Sequence, residues 1–353
     1  MIDLDDQSVL LRLDPQDMLG AVEAQPNHWR NAVEIADGAG DLPESGDLDN
    51  LVVCGMGGSG ISGDILAAVA SPRLSVPVMV VKGYRLPEFV GRHSLVLAMS
   101  YSGNTEETLE SVGEALARGA RAICVTTGGA MGALAEEQGL ATVKVPTGMQ
   151  PRASVWYLAV PLLVVLERMG IMPSMRAQLE EAHRVLAAGT ESMGRRAPEA
   201  ANPAKALARK LLGRIPLIYG SDGLPGVAAL RWKCQWNENA KAPAFFNVFP
   251  ELNHNEIVGL ARPAQADERL ALVALRDPGE HARVTRRIAV TLDLVASQVG
   301  LVEQVRAEGE SALARFASLV QMGDFASVYL ALLRGQDPTP VQAITTLKNA
   351  LAR

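Results

Sequence analysis

Apolar and polar positions alternate along this chain in two successive rounds. The first round opens with a short unbroken apolar run, Leu51-Val52-Val53-Cys54, which predicts a buried strand. Helical spacing follows over 60–70, then strands over 76–81 and 95–99, a helix over 106–118, a strand over 122–125, a helix over 131–138 and a strand over 141–145. Strands that alternate with helices predict a parallel, doubly wound α/β sheet. A long apolar helix over 153–169 ends at Gly170-Ile171-Met172-Pro173. Helices over 175–188 and 203–212 lead into the second round. It comprises a strand over 215–219, a helix over 225–240, a strand over 270–275, a helix over 281–298, a strand over 302–307 and a long helix over 311–333. A final helix spans 340–352, and a helical piece over 17–36 precedes everything. The predicted organisation is an N-terminal arm and linker over 1–46, a first α/β domain over 47–172, a helical connection over 173–199 and a second α/β domain with a C-terminal helix over 200–353. The halves share a layout without an evident sequence repeat.

Two strand-to-helix junctions of the first half are unusual in composition. Ser100-Tyr101-Ser102-Gly103-Asn104-Thr105 follows the 95–99 strand, with Ser100, Ser102 and Thr105 as three hydroxyl donors and Gly103 as a close-approach residue. The helix N-terminus behind it offers unpaired N–H groups and the positive end of a dipole, which suits a phosphate monoester. The plainer reading is a capping cluster, since Ser, Thr and Asn all cap helices. Gly55-Met56-Gly57-Gly58-Ser59-Gly60 matches the dinucleotide fingerprint, and a Rossmann oxidoreductase is therefore a rival. The acidic residue expected about 20 positions later to hold a ribose is absent. Lys82 stands in that region and leaves an NADP reading open. The other use of such a loop is to bring bare backbone close to a sugar.

Arg152 starts the long helix, an unfavourable place for a cation and one from which it would stabilise negative charge on a substrate oxygen. In Asn237-Glu238-Asn239-Ala240-Lys241, Glu238 sits near a helix C-terminus, where the dipole disfavours the carboxylate anion and so strengthens it as a base for a carbon-bound proton. His254, in Pro250-Glu251-Leu252-Asn253-His254-Asn255-Glu256, has the most polar surroundings of the five histidines and suits acid/base work. Lys348 sits on the last helix, where spacing alone reads it as a solvated lysine.

Composition narrows the classes. The 353 residues are 48% hydrophobic and 20% charged, enough for two cores and against disorder. A net charge of −6, with basic residues scattered, argues against a nucleic-acid binder. The acidic start has no basic n-region and predicts no signal peptide, and the longest apolar run, 153–166, is too short to span a membrane. Cys54, Cys124 and Cys234 are widely spaced and read as reduced thiols of a cytoplasmic protein. No His, Cys or carboxylate cluster has metal spacing, so no metal is expected.

Gly57-Gly58-Ser59-Gly60 together with Ser100 to Thr108 resembles the sugar isomerase (SIS) domain, a flavodoxin-like doubly wound unit. Gln150-Pro151-Arg152, the Asn237–Lys241 segment, the Pro250–Glu256 segment and the Lys348 helix resemble the bifunctional phosphoglucose/phosphomannose isomerase family, over essentially the whole chain from residue 47. The resemblance implies two SIS domains and a homodimer with active sites at the subunit interface. It implies a hexose 6-phosphate substrate and no cofactor. By position, Ser100, Ser102 and Thr105 would bind the 6-phosphate, and Gly57, Gly58 and Ser59 would approach the sugar. Glu238 would move the proton between C1 and C2, and Arg152 would stabilise the enediolate. His254 of the neighbouring subunit would open the ring with Lys348, and Thr339 would widen the pocket for mannose 6-phosphate. A non-catalytic phosphosugar-binding regulator built on the same domain stays open as an alternative.

Overall fold

The computed structural model describes residues 2–261 and 266–351. In chain order the elements are α1 (Gln7–Leu13), α2 (Met18–Glu23), α3 (Gln25–Asp37), β1 (Asn50–Cys54), α4 (Gly57–Ala70), β2 (Val78–Val81), β3 (Ser94–Ser100) and α5 (Glu106–Ala117). Next come β4 (Arg121–Thr126), α6 (Gly129–Glu137), β5 (Ala141–Lys144), α7 (Val155–Arg168), α8 (Arg176–Met193) and α9 (Pro203–Leu211). The remainder is β6 (Ile215–Ser221), α10 (Leu224–Glu238), β7 (Phe245–Phe249), α11 (Glu256–Leu260), β8 (Asp267–Arg276), α12 (Ala282–Val295), β9 (Val299–Arg306), α13 (Ala312–Leu333) and α14 (Gln342–Leu351). They form two compact units, a first of residues 24–183 and a second of residues 1–23 with 184–353.

The first unit holds a five-stranded sheet of order β2-β1-β3-β4-β5, parallel throughout. β1 and β3 lie at its centre and every residue of both is buried, which is why they read as continuous apolar runs. α7 is apolar all round, and Val155 to Leu166 are all buried. It packs against α3 and α4. Trp29 of α3 meets Trp156 of α7 edge to face at 4.8 Å, and its indole N–H donates to the Leu179 carbonyl at 2.9 Å.

The second unit holds a four-stranded parallel sheet of order β7-β6-β8-β9. Its central helix is α13, which packs against α2, α9 and α10. α13 is long and apolar enough to cross a membrane by length and composition alone. In the structure 89% of its most apolar window is buried inside the protein. It also carries the buried polar residues Gln321, Asp324 and Ser327. Asp324 pairs with Arg231 of α10 at 2.7 Å, both side chains 2% exposed, and accepts a second bond from Gln235 at 2.9 Å. Trp232 and Trp236 of α10 stack at 5.3 Å, and the Trp232 indole N–H donates to the Leu319 carbonyl at 2.7 Å. The first residues are fixed here as well: fully buried Lys205 of α9 donates to Asp5 at 2.8 Å.

Candidate active site

In the first unit the two unusual junctions are neighbours, because β1 and β3 are adjacent parallel strands and both loops leave their carboxyl ends. The loops are tied together where the Tyr101 N–H donates to Ser59 Oγ at 3.3 Å. Thr105 occupies the N-cap position of α5, yet its side chain makes no capping bond. Its hydroxyl pairs instead with Ser100 Oγ at 2.9 Å. That arrangement disfavours the plain capping reading, since no hydroxyl of Thr105 caps the α5 N–H groups. Ser102 is exposed, Thr105 half-buried and Ser100 buried. Gly103 has φ +71°, and a Cβ there would lie 1.8 Å from the Gly128 carbonyl oxygen.

Gly57 opens α4 at φ +54°, three residues before the predicted start. A Cβ on Gly58 would stand 2.9 Å from the Pro151 oxygen and 3.7 Å from the Arg152 Cα. Its bare backbone therefore admits the short 3-10 turn Pro151–Ala153, and with it Arg152. Arg152 is buried, and its expected place at the start of the long helix is corrected: that helix begins at Val155, and the arginine sits in the preceding turn packed on the glycine loop. Tyr101 holds the connecting loop. Its hydroxyl donates to the Pro146 carbonyl at 2.9 Å and accepts from the Met149 N–H at 3.0 Å, and burial raises the pKa of the phenol. An aromatic among small loop residues was the available signal for that role. Lys82 is spoken for by an ion pair with Asp64 of α4, whose carboxyl pKa is raised by burial.

The second unit holds Glu238, His254 and Lys348 on three separate elements. Glu238 is the last residue of α10 and half-buried. Its neighbours are pinned on either side. Asn237 Nδ2 donates to the Ala242 carbonyl at 2.9 Å. Asn239 Nδ2 donates to Ser327 Oγ at 3.0 Å, and Ser327 in turn donates to the Asp324 carbonyl at 2.8 Å. His254 ends a 3-10 turn after β7 and is exposed. That turn is braced by Asn253 Nδ2, which donates to Thr291 Oγ1 at 2.8 Å. The Glu256 carboxylate braces it further by accepting from the Tyr219 hydroxyl and from Asn247 Nδ2. Lys348 lies on α14, none of whose residues is buried, whereas Thr339 at its root is buried.

Topology separates these groups within one chain. A helix that joins parallel strands runs antiparallel to them, so α10 starts at the carboxyl edge of its sheet and ends, with Glu238, at the amino edge. β7 then returns to the carboxyl edge, where His254 stands. One chain's Glu238 and His254 are therefore apart by roughly the length of β7, about 16 Å at a strand's rise per residue.

Comparison with known proteins places these residues in a family. A profile described as the bacterial phospho-glucose isomerase C-terminal SIS domain matches residues 200–351. A protein of Caldicellulosiruptor bescii named bifunctional phosphoglucose/phosphomannose isomerase is 42% identical over 335 residues, 95% of this chain and 99% of its own. One of the same name from Aquifex aeolicus is 38% identical over 92% of this chain and 96% of its own. Among solved structures, a glucose-6-phosphate isomerase-like protein from Thermus thermophilus superposes with a TM-score of 0.61 at 22% identity, covering 96% of this chain and 98% of its own. The C-terminal domain of glucosamine-fructose-6-phosphate aminotransferase from Francisella tularensis gives 0.71 at 17% identity over 92% and 98%. The two parallel sheets, these distant likenesses and the SIS profile together bear out the expected fold, two parallel α/β units of SIS type. The close relatives span nearly their full length and this one's, and on that ground the chain belongs to the bifunctional phosphoglucose/phosphomannose isomerase family.

Proposed function

We propose that this chain is an aldose–ketose isomerase that interconverts fructose 6-phosphate with glucose 6-phosphate and mannose 6-phosphate through an enediol. The observation that carries the reading is the donor cluster at the carboxyl ends of β1 and β3 in a member of this family. Ser100, Ser102, Thr105 and the α5 N-terminus hold the 6-phosphate, and Gly57, Gly58 and Ser59 let the sugar approach the backbone. Glu238 takes the proton from one of C1 and C2 and returns it to the other. Arg152 stabilises the oxyanion of the intermediate, where a preorganised cation is worth most. His254 and Lys348 move the ring-opening proton. A planar enediol loses the C2 configuration, which is how one site would serve both aldoses.

The site is completed in a homodimer, with the partner subunit's His254 acting on the sugar held near Glu238. The separation of the two residues across one sheet supports this, because the base and the ring-opening acid must both be within hydrogen-bond reach of one hexose. Work in the cytoplasm on a small anionic sugar, with no nucleic-acid or membrane partner, is part of the same reading.

The test is turnover of fructose 6-phosphate by chelator-treated protein, with both aldose phosphates measured. Glu238→Gln keeps the side chain's shape and removes the base, so turnover falls by about 100-fold or more while phosphosugar binding persists. Mixing inactive Glu238→Gln with inactive His254→Ala restores turnover if the site is shared. Absence of any aldose phosphate from the unaltered protein refutes the function. Near-normal Glu238→Gln turnover refutes the choice of base, and failed complementation refutes the shared site.

A further inference from the structure

Lys241 ends the segment that carries Glu238, and no role in the reaction proposed above uses it. Its backbone is left-handed, φ +52°. The Ala242 N–H donates back to the Trp236 carbonyl at 3.3 Å, so the chain closes the helix end over a left-handed residue, a place where glycine is normal. Elsewhere the chain follows that preference. Gly119 after α5, Gly139 after α6, Gly170 after α7, Gly213 after α9 and Gly335 after α13 all have positive φ. At α10 alone among these a lysine accepts the left-handed conformation, which costs a side chain free energy that glycine avoids. A strained residue beside a functional one points to something its side chain does.

The side chain is half-buried and folds back along the helix end. Nζ donates to the Glu238 carbonyl, one of the orphan acceptors of the helix C-terminus, and its charge complements the dipole there. It also donates to the Pro338 carbonyl at 2.8 Å. Pro338 and Thr339 are buried and form the root of α14. Beyond that root none of the residues of α14 is buried, so the direction in which it presents Lys348 is set at the root. The Thr339 N–H, which donates to Asp337 Oδ1 at 2.8 Å, shapes the same turn.

We infer that Lys241 is a positioning residue that clasps the end of the Glu238 helix to the root of the Lys348 helix, so that the two ionisable groups are held in fixed relation at the amino edge of one sheet. This rests on the assignment of Glu238 and Lys348 above. The clasp moves no proton itself and acts through two backbone carbonyls. Methionine would keep the bulk of the stem and lose both bonds. Glycine would lose both bonds and relieve the left-handed strain. Arginine would keep the charge and can reach the same carbonyls.

Lys241→Met, Lys241→Gly and Lys241→Arg test this with two readouts. The first is hydrogen exchange of the backbone over 337–351, which needs no activity. It accelerates about tenfold or more in Lys241→Met and Lys241→Gly and stays near the original in Lys241→Arg. The second is isomerisation, where kcat falls by about 10- to 100-fold with KM for fructose 6-phosphate nearly unchanged, because the phosphate loops are untouched. In a Lys348→Ala background Lys241→Gly lowers kcat no further, whereas a role confined to stability would leave the two losses independent. Lys241→Gly is expected to melt no lower than the unaltered protein, which separates loss of the clasp from loss of folding. Unchanged exchange over 337–351 in both Lys241→Met and Lys241→Gly overturns the clasp, as does kcat within about twofold of the original in a folded Lys241→Gly. Normal turnover of Glu238→Gln would overturn the assignment of the base instead and leave the exchange result standing.

Discussion

Gly103→Ala puts the phosphate-loop geometry to its sharpest test. Two costs add at this position. A left-handed alanine costs about 1–2 kcal/mol relative to glycine. The added Cβ would also stand 1.8 Å from the Gly128 oxygen and 2.6 Å from its carbon, both backbone atoms that cannot swing aside. Forcing such an overlap open costs about 1–3 kcal/mol more. The loops cannot part cheaply, because the Met131 N–H donates to the Gly103 carbonyl at 2.8 Å and the Thr127 N–H to the Tyr101 carbonyl at 3.0 Å. The sum, about 2–5 kcal/mol, corresponds to a fall in melting temperature of roughly 5–15 °C for a unit of this size. Gly139→Ala is the control: it has φ +61° with nothing within 4 Å of the added atom, so it carries only the first cost. Thermal melts of the three proteins, with and without fructose 6-phosphate, read both stability and loop function. Gly103→Ala should melt well below Gly139→Ala and gain less from the ligand, since the Ser100–Thr105 donors are displaced. A Gly103→Ala protein that melts within about 2 °C of the Gly139→Ala control, with a full ligand shift, refutes the described packing of the two loops.

Removing Asp324 by Asp324→Ala leaves Arg231 buried without that carboxylate and is expected to cost about 3–5 kcal/mol in denaturant unfolding, while joint Arg231→Met and Asp324→Leu recovers most of it. A single-variant loss below about 1 kcal/mol would show that the pair does not hold α10 on α13. Burial pushes the Cys54 thiol up to about 12 and the Cys124 thiol up to about 11. Because the folded values lie above an ordinary thiol near 9.0, that stability is fully present below pH 9 and is lost as pH rises through about 11 to 12. Unfolding across that range, and native thiol labelling at about pH 8, just below the ordinary thiol range, check it: rapid labelling of either residue in folded protein contradicts its burial.

The architecture was legible because its strands are buried on both faces. Runs such as Leu95 to Met99 have no competing period, and their order along the chain dictates a parallel sheet. β7 gave no such signal. Phe245-Phe246-Asn247-Val248-Phe249 is an edge strand with its first two residues exposed, shut in by Pro243 and Pro250, so it carries neither alternation nor a long run. Residues 1–23 belong with the second unit through contacts such as Asp5 with Lys205, 200 positions apart, and no local pattern encodes that. Site chemistry divides the same way. The Ser100 and Gly57 loops were visible because small and hydroxylated residues at a strand-to-helix junction are informative by themselves. Glu256 and Lys241 were not, because each acts through a tertiary bond to a tyrosine, an amide or a carbonyl that the sequence does not place beside it.

The placement of the groups follows from what each end of a helix offers. An anion is held best at a helix N-terminus, and every strand-to-helix junction of a parallel sheet supplies one at the carboxyl edge. The two candidate phosphate loops of the first unit lie at that edge. In the second unit the opposite, C-terminal end of α10 lies at the amino edge of the sheet. Glu238 is there, and so is the root of α14, because α13 runs from the carboxyl edge to the amino edge as α10 does. His254 is not, because it follows a strand and so stands at the carboxyl edge. A fold of this class can thus bring the proposed base and the root of the Lys348 helix to one edge of a sheet, and the Lys241 bonds to the Glu238 and Pro338 carbonyls join the two. His254 of the same chain stands at the other edge of that sheet. On the function proposed above, the direction of β7 is what calls for a partner subunit.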